Sequence, residues 1–214
     1  NQAEGINSTV AGGLSGRATG TNSFVGGGST NVAAGLSASV VGGSANCARA
    51  NNTFIGGGVG NLICVATGHN SSIVGGTYNT SYGNCSIVGG GCRNRTIGTG
   101  NNSGVLAGFC NDVVGAQSFI GAGSNNIAYG TGSVVTGGHN NDACATYSAV
   151  VGGTGNVIGV DHTNSVIAGT HITSVCPNML HANTLFLSAA ALPTSDPGTA
   201  GVVWRDGATL KISV

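Results

Sequence analysis

Charge is nearly missing from this chain. Of 214 residues six are basic and six acidic, 6% charged in all with a formal net charge of zero, where soluble domains usually carry ~25%. Too few Lys and Arg are present to lay down the basic stripe that neutralises a phosphate backbone, so nucleic acid is not an expected partner. Proline occurs three times, which excludes a polyproline rod. No apolar run approaches the ~20 residues of a membrane-spanning helix, and no charged-then-apolar leader opens the chain, so membrane insertion is not expected. The first residue is Asn rather than Met, as expected of a processed product or a piece of something longer.

Glycine is abundant instead, at 41 residues, against ~7% in an average chain. It has no Gly-X-Y period, which excludes collagen, and β-branched residues recur on a schedule that a disordered chain lacks. That schedule is a repeat. The stretch Ser23-Phe24-Val25-Gly26-Gly27-Gly28-Ser29-Thr30-Asn31 returns with its leading hydroxyl at Ser8, Ser23, Ser39, Thr53, Ser72, Ser86, Ser103, Ser118, Ser133, Ser148 and Ser165. These eleven copies lie 14 to 19 residues apart.

Two places after each hydroxyl stands a β-branched residue: Val10, Val25, Val41, Ile55, Val74, Val88, Val105, Ile120, Val135, Val150 and Ile167. Side chains of a strand alternate between faces, so the fixed positions share one face and the variable ones the other. The β-branched set is the expected core. Further on comes an Asn, at 31, 46, 61, 79, 94, 111, 126, 141 and 156: Asn31, Asn46, Asn61, Asn79, Asn94, Asn111, Asn126, Asn141 and Asn156. Each is expected at a corner, forming a side-chain ladder or taking a left-handed turn. A second short segment follows with small or apolar residues such as Ala33, Ala48 and Ile63.

Each repeat therefore reads as two short strands and two corners. A unit of ~15 residues buries nothing alone, but stacked units bury a continuous core. The expected fold is all-β: a parallel β-roll, or β-solenoid, over residues 1–172 with insertions after Asn61, Asn94 and Asn156. Residues 173–214 lose the period and gather Pro177, Pro193, Pro197 and Trp204. They are placed to cap the last exposed edge, with a β-hairpin of Gly201–Trp204 and Thr209–Ser213 around Asp206-Gly207.

On the variable face, Phe24, Val40, Phe54, Ile73, Ile87, Phe119, Val134 and Val166 form an expected apolar stripe. A long stripe of this kind calls for a partner. It is the expected subunit interface of a homotrimer about a long axis, with Phe24, Phe54, Ile73, Ile87, Phe119 and Val166 at the contacts.

The S-Φ-Φ-G-G-x-x-N repeat over residues 8–172 resembles the β-roll repeats of trimeric autotransporter adhesin heads and of related bacteriophage and large-virus fibre proteins. The Gly-Gly and Asn signature departs from the shorter, Ala-rich bacterial head repeat. The segment from Leu192-Pro193-Thr194-Ser195-Asp196-Pro197 to Ser213 resembles one common near the ends of phage and virus structural proteins. The resemblance implies a structural virion fibre protein at the virion surface, part of a host-attachment fibre or spike. Its implied partners are copies of itself, other fibre or virion proteins and host-surface glycan. The alternative, the head of a cellular autotransporter-type adhesin, expects a coiled-coil stalk and membrane anchor, neither of which the residues up to Val214 carry.

Catalytic residues are not expected. The acids Glu4, Asp112, Asp142, Asp161, Asp196 and Asp206 share no equivalent place on adjacent repeats, so no carboxylate pair for sugar cleavage is visible. Asp161-His162 near Ser165 suggests a triad, but that Ser holds the place common to every copy. Gly56-Gly57-Gly58-Val59-Gly60 lacks the Lys-Ser/Thr of a phosphate loop, and no cofactor motif occurs. The five His (69, 139, 162, 171 and 181) read as exposed loop residues, although threefold assembly would bring His171 or His181 to an axis. The seven Cys (47, 64, 85, 92, 110, 144 and 176) have no C-x-x-C spacing and read as small buried thiols. Glycosylation sequons begin at Asn7, Asn51, Asn70, Asn79, Asn84, Asn94 and Asn101, a number close to chance in a chain so rich in Asn, Ser and Thr.

Overall fold

In the computed structural model, residues 1–64, 68–97, 101–184, 192–195, 197–198, 203–206 and 209–212 are described. They contain strands and turns but no helix. Two parallel sheets run the length of the repeat array. The first has eleven strands, from Gln2–Ala3 to Val157–Ile158; the second has twelve, from Thr9–Val10 to Val166–Ala168 and Leu180–Ala182. The chain alternates between the sheets, each strand pairing with its equivalent one coil on, which makes a β-solenoid of about twelve turns. At ~4.8 Å per coil this unit is about 55 Å long.

A third ladder accompanies the sheets, made of one residue per coil: Leu14 bridges Ser29, which bridges Ser44, and so on to Thr154. A coil thus has two strands, a one-residue rung and three corners, one rung and one corner more than the repeat suggests. All three corners use left-handed backbone. One falls on the residue before the hydroxyl place (Asn22, Asn52, Asn70) and one on the residue before the ladder Asn (Thr30, Ala45, Tyr78). The third falls on glycine, as at Gly28 with φ 83°. A Cβ at Gly28 would stand 2.0 Å from the carbonyl oxygen of Gly43 on the next coil, so only glycine lets the coils stack there.

Eight of the eleven expected core residues are fully buried: Val25, Ile55, Val88, Val105, Ile120, Val135, Val150 and Ile167; Val10, on the first coil, is half-buried. Two are misplaced. Val41 is 47% exposed and Val74 53% exposed, while Val40 and Ile73 are fully buried in their stead. The registers Val25↔Val40↔Ile55 and Ile55↔Ile73↔Val88 put Ala38 and Ser71, not Ser39 and Ser72, in the hydroxyl column. Both registers place a β-branched residue two after the start, and a slip of one residue sends every side chain to the opposite face. With the correction, the 15-residue offset holds from Val10 to Ile167 except at three insertions, and it shortens to 14 residues between Ile167 and His181. All three fall between a first-sheet strand and the second-sheet strand that follows.

Opposite the Val/Ile column the first sheet supplies small or apolar residues, among them Ala18, Ala33, Ala48, Ile63, Val113 and Ile158, all fully buried. Mid-way the pattern turns polar. Ser81 and Thr96 occupy two successive core places, and their hydroxyls pair at 3.1 Å. The apolar core divides there into one cluster ending at Val88 and another beginning at Val105.

The compact repeat unit extends to Asn183, because Leu180–Ala182 still pairs in parallel with Val166–Ala168. A second unit spans Thr184–Val214. Its described core is an antiparallel hairpin of Val203–Asp206 with Thr209–Ile212, closed by the pair Asp206↔Thr209. Asp206, expected in the turn, is therefore a strand residue. Gly201, Gly207 and Ser213 lie outside the described residues.

Candidate functional site

The column of asparagines is wholly buried. Asn31 Nδ2 donates to the carbonyls of Gly27 at 2.7 Å and Gly43 at 3.0 Å, while its Oδ1 accepts the backbone N–H of Asn46 at 3.0 Å. Each later Asn repeats this pattern, up to Asn156, whose Oδ1 accepts from Ile172 N at 3.0 Å. One side chain thus satisfies a glycine corner, the next coil's glycine carbonyl and the next Asn amide, groups that would cost free energy if buried unpaired. Asn1 holds the same role, accepting from Gly16 N at 2.9 Å and donating to Gly13 O at 2.9 Å. Its distance of 15 residues from Gly16 was the available signal, obscured because Gly16 interrupts the Asn run. This column builds the fold and offers nothing to a ligand.

The chemistry-bearing residues are scattered. Arg95 and Asp112, on adjacent first-sheet strands, form a bidentate pair with Nε to Oδ1 at 2.8 Å; Tyr78, Arg93 and Cys110 border them in a shallow depression. Burial pushes the Asp142 carboxyl up from its ordinary value, and burial, then the negative Asp142, pushes up the Cys144 thiol. The Asp161, His162 and Ser165 set is not assembled. His162 Nδ1 pairs with Ser174 Oγ, whereas Ser165 Oγ donates to the carbonyl of Cys176 at 3.1 Å. No group of three metal-ligating side chains gathers among the described residues.

His69, expected in a loop, is a half-buried member of a hydrogen-bonded stack. His69 Nδ1 accepts from Asn51 N at 3.1 Å, and the backbone N–H of His69 donates to Asn84 Oδ1 at 3.0 Å, extending a corner ladder that continues to Asn101. Nor are the cysteines core fillers. All seven are free, six half-exposed and Cys85 exposed, because each stands at a corner or on an outward place of the coil, not in a lumen column. Of the sequon asparagines, Asn79 and Asn94 are buried in the ladder, while Asn7, Asn51 and Asn70 are exposed.

What the fold does assemble is a surface. The outward face of the second sheet consists of two columns, the first residue of each strand and the residue two places on. Phe24 stands with Gly26, Ser39 with Val41, Phe54 with Gly56, Ser72 with Val74, Ile87 with Gly89, Gly104 with Leu106 and Phe119 with Gly121. One large and one small side chain thus alternate columns over seven successive coils. Val134 and Val166 continue the first column half-buried, and Val151 the second, exposed. Ile73, expected on this face, points into the core, as does Val40. Val41 and Val74, expected in the core, stand on this face through the shift of register, and Leu106 joins them in a coil whose register is as expected.

Charge avoids this face. Glu4, Arg17, Arg49, Arg93, Arg95, Asp112 and Asp142 stand on or beside first-sheet strands, and Asp161 in the last insertion. The solenoid is therefore one-sided, with its ionised groups on one sheet and an uncharged, largely apolar surface on the other. No protein-family model matches the sequence, and a search of curated proteins finds no match.

Proposed function

We propose that the chain is a structural virion fibre protein, a stiff segment of a host-attachment fibre or spike that assembles from copies of itself, as a homotrimer. The observation that carries this reading is the unbroken solenoid with an uncharged outer face on one side, a form suited to bearing load and to lateral association. The resemblance of the repeat and of the Pro-Thr-Ser-Asp-Pro segment to virion proteins supplies the location, at the virion surface. Its abundant exposed Ser, Thr and Asn suit contact with host-surface glycan. Immunogold labelling tests the reading: label on particles supports it, and label on a cell envelope instead favours the second reading, a cellular autotransporter-type adhesin head. Light scattering of the purified chain tests the threefold state, which a dimer would overturn.

A further inference from the structure

The two-column alternation levels the second-sheet face. In each coil from Phe24 to Gly121 one column carries a bulky side chain and the other Gly or Ser, with the columns exchanged on the next coil. The rings lie down along the strand. Cε1 of Phe24 is 3.3 Å from where a Cβ on Gly26 would stand, and Cε1 of Phe54 is 3.4 Å from the same point on Gly56. A Cβ at Gly26 or Gly56 would also stand 2.3 Å from the carbonyl oxygen of Val41 or Val74 on the next coil, so stacking already holds glycine there; each ring lies over it, leaving an apolar surface with no ridge along either column.

We propose that this face docks against another copy of the same chain. The inference rests on the reading that copies self-associate, and it names the surface. Three observations select a copy over other partners. No ionised side chain stands on the face, so a charged ligand gains nothing there. From their fractional exposures, its large side chains present on the order of 700 Å² per chain, near the ~800 Å² each partner contributes to a stable complex. Most decisively, contacts along a solenoid recur with every coil, so a partner can repeat them only if it has the same rise per coil. A second copy has that rise by construction, and the two-coil alternation then fixes the sliding register.

The test uses the full chain in a dilution series followed by sedimentation. Phe54→Ser copies what Ser39 and Ser72 already are in that column, so it should keep the wild-type circular dichroism while weakening association at least tenfold. The paired change Ser39→Phe with Ser72→Phe makes the face more apolar but raises a ridge. Association weakened by both variants supports docking of the level face. Association unchanged by Phe54→Ser, or strengthened by the added rings, overturns it while leaving a self-assembled fibre intact. A wild-type chain that stays monomeric overturns both. Should a variant unfold, a photo-reactive benzoylphenylalanine at position 54 of the assembled protein decides: adducts on the partner's second sheet support the proposal, adducts on its first sheet overturn it.

Discussion

The ring of Tyr78 lies against Gly60, so close that a Cβ on Gly60 would stand 2.5 Å from ring carbons Cδ1 and Cε1. The two are equivalent corner residues on adjacent coils, both in the left-handed conformation, with φ 65° and 55°. The pairing returns at Gly132 with Tyr147 and at Gly155 with His171. Wherever a ring stands at a left-handed corner of the described roll, the preceding coil has glycine there, although Asn, Ser or Thr serve at many other corners. The glycine is selected by its neighbour's ring and not by φ alone.

Gly60→Asn should therefore cost about 1–2 kcal/mol in the native background and much less beside Tyr78→Ser, because Asn adopts the same backbone at other corners. Chemical denaturation of the four chains measures the coupling. Equal costs in both backgrounds would show that the ring is not the cause.

Asn111 holds the middle of the buried ladder, donating to Asn94 Oδ1, Ala107 O and Gly123 O, and accepting from Asn126 N. Asn111→Ala strands several buried groups, and Asn111→Asp cannot donate, so each should cost about 3–5 kcal/mol. A melting midpoint within a degree or two of the wild type would remove the ladder from the account of stability.

The hydroxyl column divides into satisfied and unsatisfied members. Ser118 Oγ donates to Gly130 O at 2.7 Å and accepts from Ser133 N, whereas Ser23 Oγ is buried with no partner and its successor in the column is Ala38. Ser118→Ala should cost about 1–2 kcal/mol, and Ser23→Ala should be neutral or slightly stabilising. Thermal unfolding that ranked them the other way would contradict the hydrogen-bond assignment.

Burial raises the Asp142 carboxyl, so the folded chain holds that proton more tightly than the unfolded one. Its favourable share is present in acid and is lost as pH rises from the ordinary carboxylate value through the raised one. Asp142→Asn should therefore melt higher than wild type at pH 7, with the gap closing near pH 3. It should also speed alkylation of Cys144, whose thiol Asp142 helps to hold protonated. A gap that widens in acid would reverse the sign.

The sequons at Asn79 and Asn94 lie in the buried ladder, with both Nδ2 groups already donating to glycine carbonyls. A glycan on either displaces those bonds, so chain sent through a eukaryotic secretory pathway should be modified there and retained unfolded. Ser81→Ala with Thr96→Val deletes both sequons and replaces the buried hydroxyl pair by apolar groups, leaving Gly83 N without its bond to Thr96 Oγ1 at a cost of about 1–3 kcal/mol. That double variant should be secreted folded. Efficient secretion of wild type glycosylated at Asn79 would refute the incompatibility.

Periodicity alone determined the class of fold. A β-branched residue on schedule, a small residue facing it and an Asn at the corner have one economical arrangement, since a repeat too short for its own core must stack. Sequence also marked most lumen residues, the Asn column and where insertions enter the coil. Tertiary structure decided what local pattern left degenerate. Ala38-Ser39-Val40-Val41 and Ser71-Ser72-Ile73-Val74 satisfy two registers equally well, and only pairing with Val25, Ile55 and Val88 chose between them. The third rung was hidden because one residue per coil carries no alternation. The level face depends on which side chains two neighbouring coils turn outward, a relation between coils that emerges only when they are stacked.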